Sequence, residues 1–174
     1  MIIVALGSNL PYEARSPVDL IRGAARELER RFGFARLSPL YRSHAWPDAS
    51  DPFYVNAAAE IRTNEDPDAI LEKLLGIEAA FGRVRSNRWG PRSLDLDLID
   101  CDGVIRRADG TSLLELPHPR VHERRFVLRP LLDLAPDWRH PLSGKAASDL
   151  LAAASPVTEA WLMEQGLASA SVNH

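Results

Sequence analysis

The chain has 174 residues, a length that suits one domain with a well-buried core. Hydrophobic residues make up 45% and charged residues 26% of it, and the net charge of -3 excludes a general electrostatic attraction to nucleic acid or to an anionic membrane. The single cysteine, Cys101, excludes an internal disulfide framework, and no apolar run approaches the roughly 18 residues that a membrane helix needs. We therefore expect one cytoplasmic domain over residues 1–166, followed by a disordered tail over residues 167–174.

The first part of the chain predicts a strand, a helix and two further strands. Residues 2–6 form a continuous apolar run, which indicates a strand in the middle of a sheet. A Ser-Pro pair opens a predicted helix over residues 16–33, and a glycine ends it. Residues 34–43 predict a strand that a proline weakens, and residues 54–62 predict another strand after a loop over residues 44–53.

The second part predicts one long helix and then shorter elements. An Asp-Pro pair opens the long helix, and Gly82 ends it. The shorter predicted elements are a strand over 94–98, a hairpin turn at 102–103, a strand over 113–116, and helices over 126–134, 146–154 and 159–165. This mixed order predicts an α+β fold, with helices packed on a largely antiparallel sheet.

The strongest chemical signal lies between residues 82 and 97. Its first half surrounds Trp89 with four arginines, Arg83, Arg85, Arg88 and Arg92. Its second half predicts a strand with leucines on one face and with Asp95 and Asp97 on the other, about 6.6 Å apart. Two carboxylates this close repel each other unless a cation lies between them, and Mg²⁺ is typically held by one or two carboxylates and by substrate phosphates. Because guanidinium groups match phosphate geometry, the stretch predicts phosphoryl chemistry.

Two further regions carry weaker signals. The aromatic residues of the 44–54 segment, with Asn56 just beyond, suit either a flat aromatic ligand or ordinary packing. His118 and His122 have the spacing of a helical metal pair, but the prolines beside His118 oppose a helix, so zinc is not expected. The arginines that follow His118 instead predict a second surface for phosphate. Glu78, near the end of the second helix, suits either a ligand contact or a solvated position.

Five segments resemble those of one known family. They are Gly7-Ser8-Asn9-Leu10, Tyr54-Val55-Asn56-Ala57-Ala58, Gly82-Arg83-Val84-Arg85, Arg88-Trp89-Gly90-Pro91-Arg92-Ser93-Leu94-Asp95-Leu96-Asp97 and Leu116-Pro117-His118-Pro119-Arg120. Their residues and order are similar to those of 6-hydroxymethyl-7,8-dihydropterin pyrophosphokinase, and the fourth segment is the most specific to that family. The likeness extends over essentially residues 1–160.

The resemblance implies a ferredoxin-like α/β/α sandwich, with a mainly antiparallel sheet and helices on both faces. It also implies an Mg²⁺-dependent enzyme of tetrahydrofolate biosynthesis, which transfers the β,γ-diphosphate of ATP to the hydroxymethyl group of the pterin and releases AMP. ATP and the pterin are the expected small-molecule partners. The protein is expected to be a monomer with no nucleic-acid or membrane partner.

The same resemblance implies roles for the matched positions. Asp95 and Asp97 are expected to bind two Mg²⁺ ions and to act in catalysis together with Arg83 and Arg92. The expected pterin contacts are Ser43, Trp46, Tyr54, Asn56, Trp89 and Phe126, with the ring held between Tyr54 and Phe126. The expected ATP contacts are Glu78, Arg83, Arg85, Trp89, Arg92, His118 and Arg124. Four of these, Arg83, Arg85, Trp89 and Arg92, match a loop that closes over the substrates.

Some positions depart from the family pattern. Residues 43–47 read Ser-His-Ala-Trp-Pro where the family often has a Thr/Ser-x-Pro-x-Gly loop, so Trp46 is a candidate for an extra lid. The segment between Arg85 and Arg88 is short, which limits the reach of the arginine loop. Arg125 stands beside Phe126 where a small residue is common.

Two other classes of function remain as alternatives. A nucleic-acid module would use the arginine loop and Trp89, but the net negative charge opposes it. A sensor on the same fold would bind nucleotide or pterin without forming AMP, but the intact pair of aspartates gives it no support.

Overall fold

The computed structural model describes residues 1–45, 50–83, 92–108 and 114–164. Its strands and helices, in chain order, are β1 (Ile2–Ser8), α1 (Pro17–Phe32), β2 (Ala35–Leu37), β3 (Tyr41–Ser43), β4 (Tyr54–Ile61), α2 (Pro67–Ala80), β5 (Asp95–Cys101), α3 (Arg125–Leu134), α4 (Ala147–Ala153) and β6 (Ala160–Leu162). Short 3₁₀ turns at Val121–Glu123 and Pro156–Thr158 precede α3 and β6, respectively. Within these ranges, no helix is long and apolar enough to cross a membrane.

The strands form one sheet in the order β5-β1-β4-β3-β6, with β2 also beside β4. Each of these pairings is antiparallel. Helix α1 carries the chain from β1 past β4 to β2 and β3, and α2 carries it from β4 past β1 to β5. This double crossover is the ferredoxin-like arrangement, so the predicted fold class is confirmed.

Separate apolar cores lie on the two faces of the sheet. The core under α1 and α2 contains alternate residues of the central strands, such as Val4, Leu6 and Leu96. The intervening residues, such as Ile3 and Ile99, face the other way and pack with α3 and α4. The predicted placement of helices on both faces is therefore confirmed, and the period-2 alternation of a strand is its cause.

Local sequence explains how the two long helices begin. The Ser16 hydroxyl accepts a hydrogen bond from the Asp19 amide, and the Asp19 carboxylate accepts one from the Ser16 amide in return. Asp66 caps α2 in a similar way, by accepting from the Asp68 amide. The buried residues of α1 are Leu20, Ile21, Ala24 and Leu28.

Two predicted elements differ in the structure. The strand expected over 34–43 is divided into β2 and β3, because Pro39 cannot donate to a ladder and the chain bulges there. The prediction of a helix over 159–165 is wrong for the described residues 159–164, where β6 pairs with β3 instead. Pairing along an open sheet edge outweighs the local helical pattern in so short a segment.

Other predicted elements are only partly described. Leu116 makes one isolated bridge to Arg106, so the strand predicted over 113–116 is reduced to this contact in its described residues. Residue 113 and the tail predicted to be disordered, 167–174, lie outside the described residues.

Candidate active site

The sheet carries a polar cleft on the face that α3 covers. Strand register sets Gly7 of β1 opposite Asn56 of β4 on one side and opposite Asp95 of β5 on the other. Ala5, two residues earlier, lies opposite Asp97. Because Gly7 lacks a side chain, the floor between the amide and the carboxylate stays open. A Cβ at this position would lie 3.7 Å from the Tyr54 ring and 3.9 Å from both Asn56 Oδ1 and Asp95 Cβ.

The cavity is lined by four of the six predicted pterin residues, Ser43, Tyr54, Asn56 and Phe126. The Asn56 amide nitrogen donates to Ser43 Oγ at 2.9 Å, so both buried side chains have fixed orientations. Burial raises the pKa of the Tyr54 phenol, which keeps the ring neutral at ordinary pH. The cavity encloses about 190 Å³, less than the roughly 300 Å³ at the small end of sites for drug-sized ligands. A small ligand is therefore what its described walls suit, and the aromatic side chains of Tyr54 and Phe126 favour one with a flat ring.

Asp95 is neutralised by arginines from both ends of the predicted loop. Arg83 Nη1 contacts Asp95 Oδ1, and Arg92 Nη1 contacts Asp95 Oδ2. Burial lowers the pKa of Arg92, but the charge and hydrogen bond of Asp95 more than compensate, so the pKa is raised on balance. Two predicted catalytic arginines, Arg83 and Arg92, thus contact the carboxylate of a third predicted catalytic residue, Asp95.

Glu78 lies behind this cluster, and of the two alternatives left open for it the solvated position is wrong. Its side chain is only 2% exposed, and Oε1 accepts a hydrogen bond from the Leu96 amide at 2.7 Å. The same oxygen contacts Arg83 Nη1. Glu78 therefore ties α2 to β5 and holds Arg83 beside Asp95; its predicted contact with ATP stays a prediction.

Asp97 has a different set of partners. Arg124 Nη1 donates to Asp97 Oδ2 at 3.1 Å, and His118 Nε2 lies 3.8 Å from the same oxygen. His118 Nδ1 accepts a hydrogen bond from the Arg120 amide at 3.1 Å, so the neutral ring carries its proton on Nε2, toward Asp97. Burial lowers the pKa of His118, and the Arg124 charge adds to this effect against the opposing influence of Asp97. At neutral pH this corner therefore combines a guanidinium with an uncharged donor.

Asn9 is a residue whose part in the site the sequence did not reveal. Its Oδ1 accepts from the Arg92 amide at 2.8 Å, while its Nδ2 donates to the Pro52 carbonyl at 3.2 Å. The amides of Asn9 and Leu10 in turn donate to the Arg92 carbonyl. One buried side chain thus joins the end of β1 to the segments on both sides of the cleft. The signal in the sequence was an Asn directly after the Gly-Ser turn, a residue type that readily bonds to neighbouring backbone.

Gly82 directs Arg83 back toward the sheet. Its φ of +76° is a left-handed conformation, and a Cβ there would lie 2.2 Å from the Tyr12 ring. Only glycine fits both conditions. The Arg83 amide then donates to the Glu78 carbonyl, which fixes where the side chain begins.

The donor set of the cleft suits a hard cation. Asp95 and Asp97 line the same cavity and present only oxygen ligands, which Mg²⁺ prefers. Among the described residues, no group of three or more His, Cys, Asp or Glu side chains is arranged to hold a metal by itself. Mg²⁺ usually takes one or two protein carboxylates and completes its shell with water and substrate phosphate.

Three predicted site residues, Trp46, Arg85 and Trp89, lie outside the described residues. Every other predicted site residue except Glu78 and Arg83 lines the cavity, and those two lie directly behind Asp95.

Several known proteins are similar to this chain in sequence. Residues 3–136 match the family model for 7,8-dihydro-6-hydroxymethylpterin-pyrophosphokinase. A relative from Synechocystis sp., named 2-amino-4-hydroxy-6-hydroxymethyldihydropteridine pyrophosphokinase, is 40% identical over 169 residues, covering 95% of this chain and 81% of the relative. A relative of the same name from Pseudomonas aeruginosa is 42% identical over 159 residues, covering 87% and 90%.

Solved structures resemble the fold. One described as HPPK-DHPS in complex with substrates has a TM-score of 0.63 at 13% identity, over 87% of this chain. HPPK-DHPS from Plasmodium falciparum has the same TM-score at 12% identity. This chain spans only 42% and 44% of those longer chains.

Proposed function

The chain belongs to the 7,8-dihydro-6-hydroxymethylpterin-pyrophosphokinase family, and we propose that the cleft above Gly7 is where its reaction takes place. The enzyme transfers diphosphate from ATP to the hydroxymethyl group of 6-hydroxymethyl-7,8-dihydropterin, a step of folate biosynthesis. The observation that supports this location is the row formed by Asn56, Gly7 and Asp95 across three strands. It sets a pocket suited to a flat ring directly beside a carboxylate that two arginines neutralise.

The pterin binds between Tyr54 and Phe126 in this proposal. Both rings line a cavity of the right size for one flat ring system, and stacking on aromatic faces suits such a ligand. Asn56 recognises an edge of the ring, because its amide is held in one orientation by Ser43 and its Oδ1 faces the space above Gly7. A fixed donor–acceptor set of this kind gives orientation as well as affinity.

Dependence on Mg²⁺ is part of the proposal, with two ions and with Asp95 and Asp97 as their protein ligands. When bound, Mg²⁺ supplies positive charge that offsets the charge developing on the phosphate oxygens. The support from this chain is a pair of carboxylates at alternate positions of one strand, on the face that lines the cavity. Asp95 is the carboxylate in the same row as Asn56, so in this proposal it is the group that helps to remove the hydroxyl proton.

The arginines position and neutralise the triphosphate. Phosphoryl transfer requires little covalent chemistry from the protein, so placement and charge stabilisation dominate. Arg83 is pinned by buried Glu78 and therefore provides a fixed charge, whereas Arg92 stands at the other end of the arginine loop. On the Asp97 side, Arg124 and neutral His118 provide a charged and an uncharged donor for phosphate oxygens. Arg85 and Trp89 complete the nucleotide contacts in this proposal, by their match to the family motif.

A single domain over residues 1–166, a monomeric state and a cytoplasmic location also belong to the proposal. The sheet joins β1 to β6 into one body, which supports the single domain. The free, buried thiol of Cys101 suits a reducing compartment.

The decisive experiment is product analysis with ATP, Mg²⁺ and 6-hydroxymethyl-7,8-dihydropterin. We expect AMP and the pterin diphosphate in equal amounts, and no AMP when either the pterin or Mg²⁺ is omitted. ADP as the product would contradict diphosphate transfer. Turnover that persists in excess chelator would contradict the metal dependence alone.

A further inference from the structure

The C-terminal strand reaches the pterin side of the cleft, although it lies beyond the part of the chain that matches the family model. That match ends at residue 136, whereas β6 begins at Ala160. β6 pairs with β3 so that Ala160 is opposite Ser43 and Trp161 is opposite Arg42. Ser43 is the residue that orients Asn56.

We propose that His44 forms a side wall of the pterin pocket and that Trp161 is the positioning residue that holds it there. This inference rests on the proposed location of the pterin. It assigns a part in substrate binding to two residues for which the sequence motifs predicted none.

The ring contacts around His44 support the proposal. His44 is one of the residues that line the cavity. Its centroid is 5.4 Å from that of Trp161, in an edge-on arrangement, and 4.7 Å from that of Phe53. The Arg42 guanidinium lies 3.7 Å from the Phe53 ring centroid, on the outer side of this group. His44 is exposed, and among the described residues these two rings are the aromatic groups in contact with it.

The strand that carries Trp161 is itself firmly attached. Arg125 and Arg129 both contact the Glu159 carboxylate, at 2.6 and 2.9 Å, and the Ala160 amide donates to the same carboxylate at 3.0 Å. These arginines belong to α3, the helix that also carries Phe126. One helix therefore carries Phe126 and also anchors, through Glu159, the strand that carries Trp161. Arg125, which also donates to the Ala154 carbonyl, thus helps to hold β6 in place.

The exposure of Trp161 argues against a purely structural role. Its side chain is 48% exposed at a sheet edge, so it adds little to either apolar core. Aromatic pairs in edge-on geometry favour a defined orientation. Removing the indole should therefore free the His44 ring while leaving the fold unchanged.

The test measures pterin binding and turnover for Trp161→Ala, Trp161→Phe, His44→Ala and the double variant. Leu162→Ala is the matched control, since Leu162 is the next residue of the same strand, points to the other face and is 61% exposed. Calorimetry with 6-hydroxymethyl-7,8-dihydropterin and a non-hydrolysable ATP analogue gives Kd without turnover. Steady-state assays of AMP formation give kcat and the two KM values.

We expect Trp161→Ala to raise the Kd and KM for the pterin about five-fold, the scale of one aromatic pair, with kcat and the KM for ATP unchanged. Trp161→Phe should restore most of the affinity, and Leu162→Ala should bind like the wild type. In the His44→Ala background, Trp161→Ala should have almost no further effect, because a residue that acts through another loses its effect with it.

Three results would overturn the inference. They are an unchanged pterin Kd in Trp161→Ala, additive effects of the two substitutions, and an equal rise in the KM for ATP. If the wild type itself forms no pterin-dependent AMP, the proposed function fails instead, so the two failures are distinguishable.

Discussion

The two faces of the sheet are built differently, and the difference locates the site. The face under α1 and α2 is a continuous apolar core, with residues such as Leu74, Ile77 and Leu96 almost fully buried. We call this the closed face. The other face, the open face, is apolar in the described residues where α3 and α4 cover it and polar beyond them. Helix α3 begins at Arg125, and beyond it the strand ends carry Asn56, Asp95 and the other polar groups of the cleft.

The cleft exists because α3 and α4 cover only part of the open face, and not because the sheet itself is unusual. Strand alternation sends every second residue to each face, so β5 supplies leucines to the closed face and aspartates to the open one. Where no helix of the described residues lies over the open face, polar side chains line the cleft. Stability should therefore depend mainly on the closed face, and catalysis on the open one.

The largest effect is expected on the open face. Asp97→Ala should lower kcat by about 10³-fold, or about 4 kcal/mol, because the variant loses one of the two proposed Mg²⁺ ligands and with it the charge that would stabilise the transferred phosphates. The circular dichroism spectrum should not change, since the side chain lines the cleft and supports no core. Asp137→Ala, which removes an exposed carboxylate outside the cavity, is the control and should retain full activity. Near-normal turnover in the Asp97 variant would refute its proposed role.

The closed face should respond in the opposite manner. Leu74→Ala removes a fully buried side chain of α2 and should lower the free energy of unfolding by about 3 kcal/mol. Urea denaturation measures this change, and the kcat of the folded fraction should stay within about two-fold of the wild type. A large loss of kcat without a loss of stability would show that the two faces are not separable. Leu71→Ala, in the same helix but only partly buried, provides a graded control.

The smallest effect concerns the edge of the open face, where ionic contacts replace apolar burial. Hydrogen bonds from Arg129, and further contacts from Ala160 and Arg125, lower the pKa of Glu159 from 4.5 to about 2 against the opposing effect of burial. Because the carboxylate has a lower pKa in the folded state, its contribution is present above pH 4.5 and is lost as the pH falls toward 2.

Thermal unfolding of the wild type and of Glu159→Gln, compared between pH 6 and pH 2.5, measures this contribution. At pH 6 the wild type should unfold at a higher temperature than Glu159→Gln, and the two unfolding temperatures should converge as the pH falls to 2.5. A difference that stays constant with pH would mean that the contacts of Glu159 act through shape and hydrogen bonding rather than through charge. The contrast between the two faces of the sheet would still hold, but the charge of Glu159 would no longer explain the stability of this edge.

Local patterns in the sequence determined much of this protein. The alternation of Leu and Asp through residues 94–98 predicted both the strand and which side chains share a face, because side-chain direction has a period of two along the chain. The caps at Ser16 and Asp66 predicted where both long helices begin. Resemblance to the family motifs then indicated the fold and the reaction.

Only the tertiary structure decided which distant residues meet. Asn9 reaches Arg92 across 83 positions, and Glu78 receives the Leu96 amide across 18. Trp161 contacts His44 only because the register of β6 against β3 brings them together, and the same pairing overrode a helical pattern. Periodicity encodes the direction of a side chain but not its partner. Partners depend on strand register and helix packing, which the chain settles only by burying both faces of the sheet at once.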